Sequence, residues 1–298
     1  MFRQFETSAV RGVTFFCRET FIMCNPLPTF VVLFLFVGAL PAQENSDPRA
    51  TTGDPTQSDF GTLLSQAESG DREAQYRVAQ LYAFPEDRLV PKNDAASRDW
   101  MLKSAEQGYA PAQARLGEME LRATGDRGKA EMWLRRAAEQ DNTEGQLMLG
   151  VAYENGKFGR KDYQEAFKWL MKAAEKGDPD AEVSLGEMYE DGKFVSQNYV
   201  LAAKWYRKAA EYSPDPGGAG VGRNQLGMLY EDGLGVPKNL VLAYMWYSLT
   251  QFQGNLKEVE CHMTRAQIAQ ARKMAFAWLQ SHPEEHFTVA QQNGAKQR

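Results

Sequence analysis

Three stretches decide how this chain is read: Leu149–Phe158 (LGVAYENGKF), Leu185–Phe194 (LGEMYEDGKF) and Leu226–Gly235 (LGMLYEDGLG). They are near copies of one another. A second set of copies interleaves with them: WLRRAAEQD from Trp133, WLMKAAEKGD from Trp169 and WYRKAAEYS from Trp205. Working outward, tryptophans recur at Trp100, Trp133, Trp169, Trp205 and Trp246, spaced 33, 36, 36 and 41 residues apart. Val78-Ala79, Leu116-Gly117, Leu149-Gly150, Leu185-Gly186 and Leu226-Gly227 form a matching upstream series. A fixed period of this length is the mark of a stacked repeat.

Each unit reads as two amphipathic helices. Ala181, Leu185 and Tyr189 fall four apart and share one face of the first helix, with Gly186 beside them to let another helix come close. Ala166, Trp169, Leu170, Ala173 and Ala174 follow the i, i+3, i+4, i+7, i+8 stripe of the second. Asn155-Gly156, Asp191-Gly192 and Asp232-Gly233 are expected to end first helices, and Gly108, Gly177 and Gly254 to close second helices. The uneven periods are assigned to loops: an expansion in Pro214–Gly222 and a deletion around Gly125–Gly128.

The residues A-x-x-x-LG-x-MY-x-x-G and A-x-x-W-x-x-x-AA-x-x-G resemble the Sel-one-like repeat (SLR) family, relatives of the tetratricopeptide repeats, over roughly residues 60–255. The first unit departs with Ala79 and Ser104, and the fifth with Thr250 and Gln251, as terminal units do. Met263–Gln280 looks like the closing helix of that family, capped by Thr264, with Ile268, Ala271, Ala275 and Leu279 as its apolar stripe. The expected fold is therefore an all-α, right-handed solenoid of about five helix pairs over residues 59–255. A capping region follows at 256–281, then a disordered tail at 282–298. The resemblance implies a non-catalytic scaffold or adaptor for another protein or an extended peptide.

Leu27–Leu40 (LPTFVVLFLFVGAL) carries no charge but is short of the ~20 residues of helix that cross a bilayer. It reads as the apolar part of a signal peptide over residues 1–42, with Ala42 at the cleavage position and Met23 as an alternative start. Periplasmic or secreted localisation follows, with an uncleaved membrane anchor as the alternative. Polar residues 43–58, holding Pro48 and Pro55, read as a flexible linker.

The whole chain of 298 residues has 34 Lys+Arg against 39 Asp+Glu, so no basic excess is available for nucleic-acid phosphates. With 3 Cys, two of them in the leader, neither a disulfide framework nor a cysteine zinc site can be built. His282-Pro283-Glu284-Glu285-His286 matches H-x-x-E-H, but Pro283 interrupts the helix that a metalloprotease motif needs, and no carboxylate follows. Gly217–Gly222 lacks the Lys-Ser/Thr of a phosphate loop and the third glycine of a dinucleotide fingerprint. No catalytic, cofactor or metal site is expected.

What remains is the surface that the first helices would turn inward by resemblance to tetratricopeptide repeats. Its expected lining is Glu73, Tyr76 and Gln80; Glu118; Glu144, Val151 and Glu154; Asp180, Glu187, Glu190 and Asp191; Asn224, Met228, Glu231 and Asp232. An acidic concave wall would favour a basic partner segment. The competing reading gives the acids before each glycine to the scaffold, solvating helix ends. A cell-envelope enzyme, or an assembly factor acting through the convex face or tail, are the other two readings.

Overall fold

The computed structural model describes residues 57–84, 90–211, 217–250 and 253–282. The expected leader, the linker up to residue 56 and the tail from residue 283 lie outside them. Among the described residues every regular element is a helix. A leading helix α1 (Gln57–Glu68) precedes five pairs: α2 (Arg72–Ala83) with α3 (Asp94–Glu106), α4 (Ala110–Met119) with α5 (Arg127–Glu139), and α6 (Thr143–Glu154) with α7 (Tyr163–Glu175). Then come α8 (Pro179–Asp191) with α9 (Tyr199–Ala210), and α10 (Gly218–Asp232) with α11 (Leu240–Ser248). Helices α12 (Gln253–Glu260) and α13 (Arg265–Ser281) close the stack. The chain is an all-α solenoid of helix pairs, with each helix from α1 to α12 packing on the next in order and α13 packing back on α11.

Local chemistry explains the segmentation. Asn93, Asp126, Asp162, Asn198 and Asn239 stand at the N-caps of the five second helices, each accepting from a backbone N–H of the first turn. Gly156, Gly192 and Gly233 adopt left-handed φ values of 68°, 68° and 76° at the ends of first helices, as their sequence context predicts.

Packing within the last four pairs is set by one glycine each. A Cβ at Gly117 would stand 2.6 Å from Leu134 Cγ, and one at Gly150 2.7 Å from Leu170 Cγ. At Gly186 it would run into the Tyr206 ring, and at Gly227 it would come 2.5 Å from the Tyr247 ring. The first and second helices therefore touch where no side chain intervenes. Between pairs, a buried polar residue ties each first helix to the second helix before it. Gln75, Gln113 and Gln146 donate to the carbonyls of Ala67, Ala105 and Ala138, and Arg223 Nε donates to Ala210 at 3.0 Å. Glu182 takes the same place in the fourth repeat but pairs at 2.7 Å with Lys208 of α9 in its own repeat, and Lys208 in turn donates to the Ala174 carbonyl of α7 at 2.9 Å. A basic side chain three residues on covers the Trp ring in four repeats: Lys103 over Trp100, Arg136 over Trp133, Lys172 over Trp169 and Lys208 over Trp205. In the fifth, Trp246 meets Trp278 of α13 edge to face, so the closing helix supplies the missing cover. Thr264 caps α13 in a full capping box, as its sequence predicts.

Four details differ from the sequence reading. Helix α1 begins at Gln57, inside the segment read as linker, and buries Ala67 against Ala74 and Val78 of α2. Gly254 does not close α11, which already ends at Ser248; it lies within α12. The glycines of the supposed loop expansion are helical from Gly218. A Cβ at Gly218 would meet the backbone of Pro179 and Asp180 at 2.6 Å, and one at Gly222 would stand 2.8 Å from Ala209 Cβ, so that run serves close approach rather than slack. The deletion near Gly125 is accommodated by a π-helical turn, Glu120–Thr124, which ends at Gly125 with φ 64°.

Candidate functional site

The first helices also touch one another across repeats: α4 on α6, α6 on α8, and α8 on α10. Among the described residues no second helix packs comparably on another second helix. A stack whose first helices lie closer together than its second helices curves toward the first helices, which makes their free face the inner one.

That face holds two adjoining hollows. One, of about 470 Å³, is lined by Gln80, Phe84, Lys92, Met101, Arg115 and Glu118 among others. The other, of about 680 Å³, takes Glu118, Leu121 and Arg122 from the α4 end and Leu147, Met148 and Val151 from α6. Helix α8 gives it Asp180, Val183, Ser184 and Glu187, and α10 gives Val221. Glu118 and Arg122 line both hollows, so the two form one trough along the inner face. Helical geometry accounts for the lining: Asp180, Val183, Ser184 and Glu187 are spaced i, i+3, i+4, i+7 and form one stripe of α8. The residue immediately after each Leu-Gly or Val-Ala pair contributes in the first four repeats, as Gln80, Glu118, Val151 and Glu187. Its fifth counterpart, Met228, is exposed.

The expected lining is thus brought together in part. Gln80, Glu118, Val151, Asp180 and Glu187 line the trough. Tyr76 sits beside it, edge to face on Tyr109 at 5.4 Å. Burial, then the neighbouring Glu144, push the Tyr76 hydroxyl pKa up. Glu144 is half-buried with Arg115 at 4.0 Å, and burial raises its carboxyl above the usual range. Glu73 and Asp232 are exposed near helix ends. Asn224 accepts from Asn255 of α12 at 2.9 Å, which ties that part of α10 to the cap.

Three acids prove to be scaffold rather than free lining. Glu190 accepts the Tyr206 hydroxyl at 2.6 Å and Glu231 the Tyr247 hydroxyl at 2.8 Å. Glu154 is buried, not exposed, and pairs with Lys193 at 3.2 Å. Lys193 also holds Asp191 at 3.0 Å, while Glu118 lies between Arg115 at 2.5 Å and Arg122 at 2.9 Å. The trough is therefore an apolar floor with largely compensated charge, not an evenly acidic wall.

Sequence reasoning passed over Leu121, Leu147, Met148, Val183, Ser184 and Val221. Leu147, Met148, Val183 and Ser184 stand one and two residues before their Leu-Gly pairs. A hydrophobic run such as Leu147-Met148-Leu149 was the available signal, since one helix face cannot hold all three. Val221 was hidden in the glycine run read as loop.

The other chemical leads are now placed. Cys261 and His262 are exposed. His282 stacks on Trp278 with ring centroids 3.9 Å apart, while His286 lies outside the described residues. Among the described residues no helix is long and apolar enough to cross a membrane.

The Sel1 repeat pattern matches residues 72–109, 110–142, 143–178, 179–211 and 221–249, which correspond to the five helix pairs. A Sel1 repeat protein from Oxalobacter formigenes is similar at 26% identity, with 75% of this chain and 90% of that one covered and a TM-score of 0.59. A protective antigen of uropathogenic Escherichia coli with an SLR fold is 27% identical, with 80% of this chain covered and a TM-score of 0.49; this chain spans 59% of its length. A putative Sel1 repeat protein from Klebsiella pneumoniae is 25% identical, covering 68% of this chain and 98% of that one, with a TM-score of 0.45. No curated protein matches by sequence. With five repeats matched over more than half of its length, the chain belongs to the Sel1 repeat family, whose members generally mediate protein–protein interaction.

Proposed function

We propose that this protein is an exported, non-catalytic adaptor that holds a segment of another protein in the trough on its inner face, in the cell envelope. The observation that carries this reading is the apolar floor of about 680 Å³ shared by four successive repeats. Its half-buried Leu121, Leu147, Met148, Val151 and Val221 give a concave apolar lining of the kind that receives a partner's apolar side chains. Export rests on the leader read over residues 1–42 and places the adaptor in the periplasm or the medium.

The test puts a charge on the floor, at a half-buried side chain that borders the core. Full-length protein and a Met148→Arg variant, both checked by circular dichroism, are used for affinity capture from a cell-envelope extract. Mass spectrometry of the mature N-terminus is read alongside. A partner kept by the wild type and lost by Met148→Arg supports the trough. A partner held equally by both would move the contact to the outer face or the tail. A mature chain that still begins at Met1 or Met23 would replace export by anchoring. A turnover activity unaffected by Met148→Arg would favour the enzyme reading.

A further inference from the structure

Among the acids of the inner face, Glu187 differs from its neighbours. Glu118 is bracketed by Arg115 and Arg122, Glu154 and Asp191 share Lys193, and Glu190 and Glu231 accept tyrosine hydroxyls. Glu187 lines the trough, half-buried, and makes no ion pair or side-chain hydrogen bond among the described residues. Facing it are Glu154, Glu190 and Asp191, with Lys193 opposing them from beyond ion-pair range. Its carboxyl is held above the usual carboxylate range, by burial first and the neighbouring acids next. The floor it adjoins is apolar, made by Leu147, Met148 and Val151 of α6 and Val183 of α8. A trough between two successive first helices suits a third helix laid along it, whose side chains interleave with theirs.

Building on the trough as the binding face, we propose that its occupant is an amphipathic helical segment of a partner protein. Its apolar stripe lies on Met148, Val151 and Val183, and one Lys or Arg beside the stripe meets Glu187. A cation arriving there supplies the counter-charge that the fold gives the other acids internally, in a setting where low-dielectric walls strengthen the attraction. A multiply basic segment gains little more along the trough, because the other carboxylates lining it already have partners. The specificity is for one positive charge at one end of an apolar stripe.

The experiment uses full-length protein and a labelled synthetic helix of about four turns. The peptide carries leucines at i, i+3, i+4 and i+7 and one Lys beside them; two control peptides replace that Lys by Ser or by Glu. Fluorescence anisotropy should show the Lys peptide binding about tenfold more tightly than the Ser peptide, and the Glu peptide more weakly than either. Glu187→Gln should erase the Lys preference and keep the Ser affinity. Met148→Arg, with Ser184→Arg as a second variant in case the first fails to fold, should abolish binding of all three.

Equal affinity for the Lys and Glu peptides would overturn the proposed occupant and leave the trough standing as a binding face. Binding unchanged in both Arg variants would overturn the trough itself. No binding of any peptide up to about 1 mM would overturn the proposed occupant. Sedimentation showing self-association of the wild type, dispersed by Met148→Arg, would assign the trough to a second copy of this chain and overturn it as well.

Discussion

The second and third repeats and the fourth and fifth fill the same gap with different chemistry. In the first two, Gly117 and Gly150 receive Leu134 and Leu170; in the other two, Gly186 and Gly227 receive Tyr206 and Tyr247. All four filling side chains are fully buried. A leucine asks nothing further of its surroundings, but a buried tyrosine brings a hydroxyl that needs a partner. Glu190 and Glu231 provide it, each from the turn after the glycine. In the third repeat the matching Glu154 has no hydroxyl to bind and turns to Lys193 of the next repeat. One alignment column thus carries two jobs, and the neighbouring column decides which. The tyrosine repeats satisfy their acids within the repeat, whereas the third repeat satisfies its acid by coupling to the fourth.

That coupling should be visible when the leucine half is damaged. Trp169 is 3% exposed, donates its Nε1–H to Glu165 at 2.9 Å, and packs in one cluster with Leu134, Leu170, Leu185 and Met188. Helix α8 supplies Leu185 and Met188 to this cluster and Val183 to the one beyond. Trp169→Ala should cost about 3–5 kcal/mol in denaturant titration. With the two halves coupled through α8, the loss should appear as one shifted transition. Two separated transitions would show that the halves fold as independent rows, and a loss below about 1 kcal/mol would refute the buried Trp layer.

Glycine substitutions sharpen the contrast next. Gly186→Ala drives a methyl into a tyrosine ring that has no room to turn and should cost about 1–3 kcal/mol. At Gly117 the same change meets Leu134 at Cγ, 2.6 Å away, with its backbone N behind at 3.1 Å; a branched aliphatic side chain can shift further than a ring, so the loss should be smaller than at Gly186 but still at least about 1 kcal/mol. Gly220 is the control: nothing stands within 4 Å of its would-be Cβ, and Gly220→Ala should stabilise α10 by about 0.5–1 kcal/mol. Equal losses at Gly117 and Gly186 would mean that ring rigidity plays no part.

The same contrast marks what could be read in the sequence. The repeat, its helix pairs, the glycine stops other than Gly254 and the Thr264 cap followed from spacing, because local sequence decides where a helix starts, stops and faces. Spacing also set the residue after each Leu-Gly off the core stripe of its first helix, while the placing of that face on the inside rested on the resemblance to tetratricopeptide repeats. Partnership was not legible. Glu154 and Glu190 share one column of a repeat alignment, and Glu118 and Glu187 share another, yet their fates depend on Lys193, Tyr206, Arg115 and Arg122, which reach them across a turn or from another helix. The glycines at 218 and 222 misled because in isolation a glycine run means slack; only the approach of α8 and α9 shows that these contacts require the absence of a side chain.

A smaller effect tests the tyrosine half directly. Tyr206→Phe removes the donor to Glu190 without changing the ring that fills the gap, and should cost about 1–2 kcal/mol. Tyr247→Phe should behave alike through Glu231. Glu190→Gln should cost less than Tyr206→Phe, since an amide oxygen can still accept. A Tyr206→Phe variant as stable as the wild type would make the carboxylate pairing incidental and leave ring packing as the whole content of the difference.

The smallest expected effect separates the acid that neither half has paired. Burial holds the folded pKa of Glu187 above its unfolded value, so its charged form is disfavoured by folding. Its contribution to stability is then fully present below the unfolded carboxylate range and is lost as pH rises through the folded pKa. Glu187→Gln carries no such dependence. Urea midpoints of the two proteins should therefore converge near pH ~4 and separate toward neutrality, with the variant becoming the more stable. The opposite sign, wild type gaining as pH rises, would mean that Lys193 holds Glu187 as it holds Glu154. Glu187 would then belong to the scaffold with Glu154, Glu190 and Glu231, and the trough would have no uncompensated carboxylate left to offer a partner.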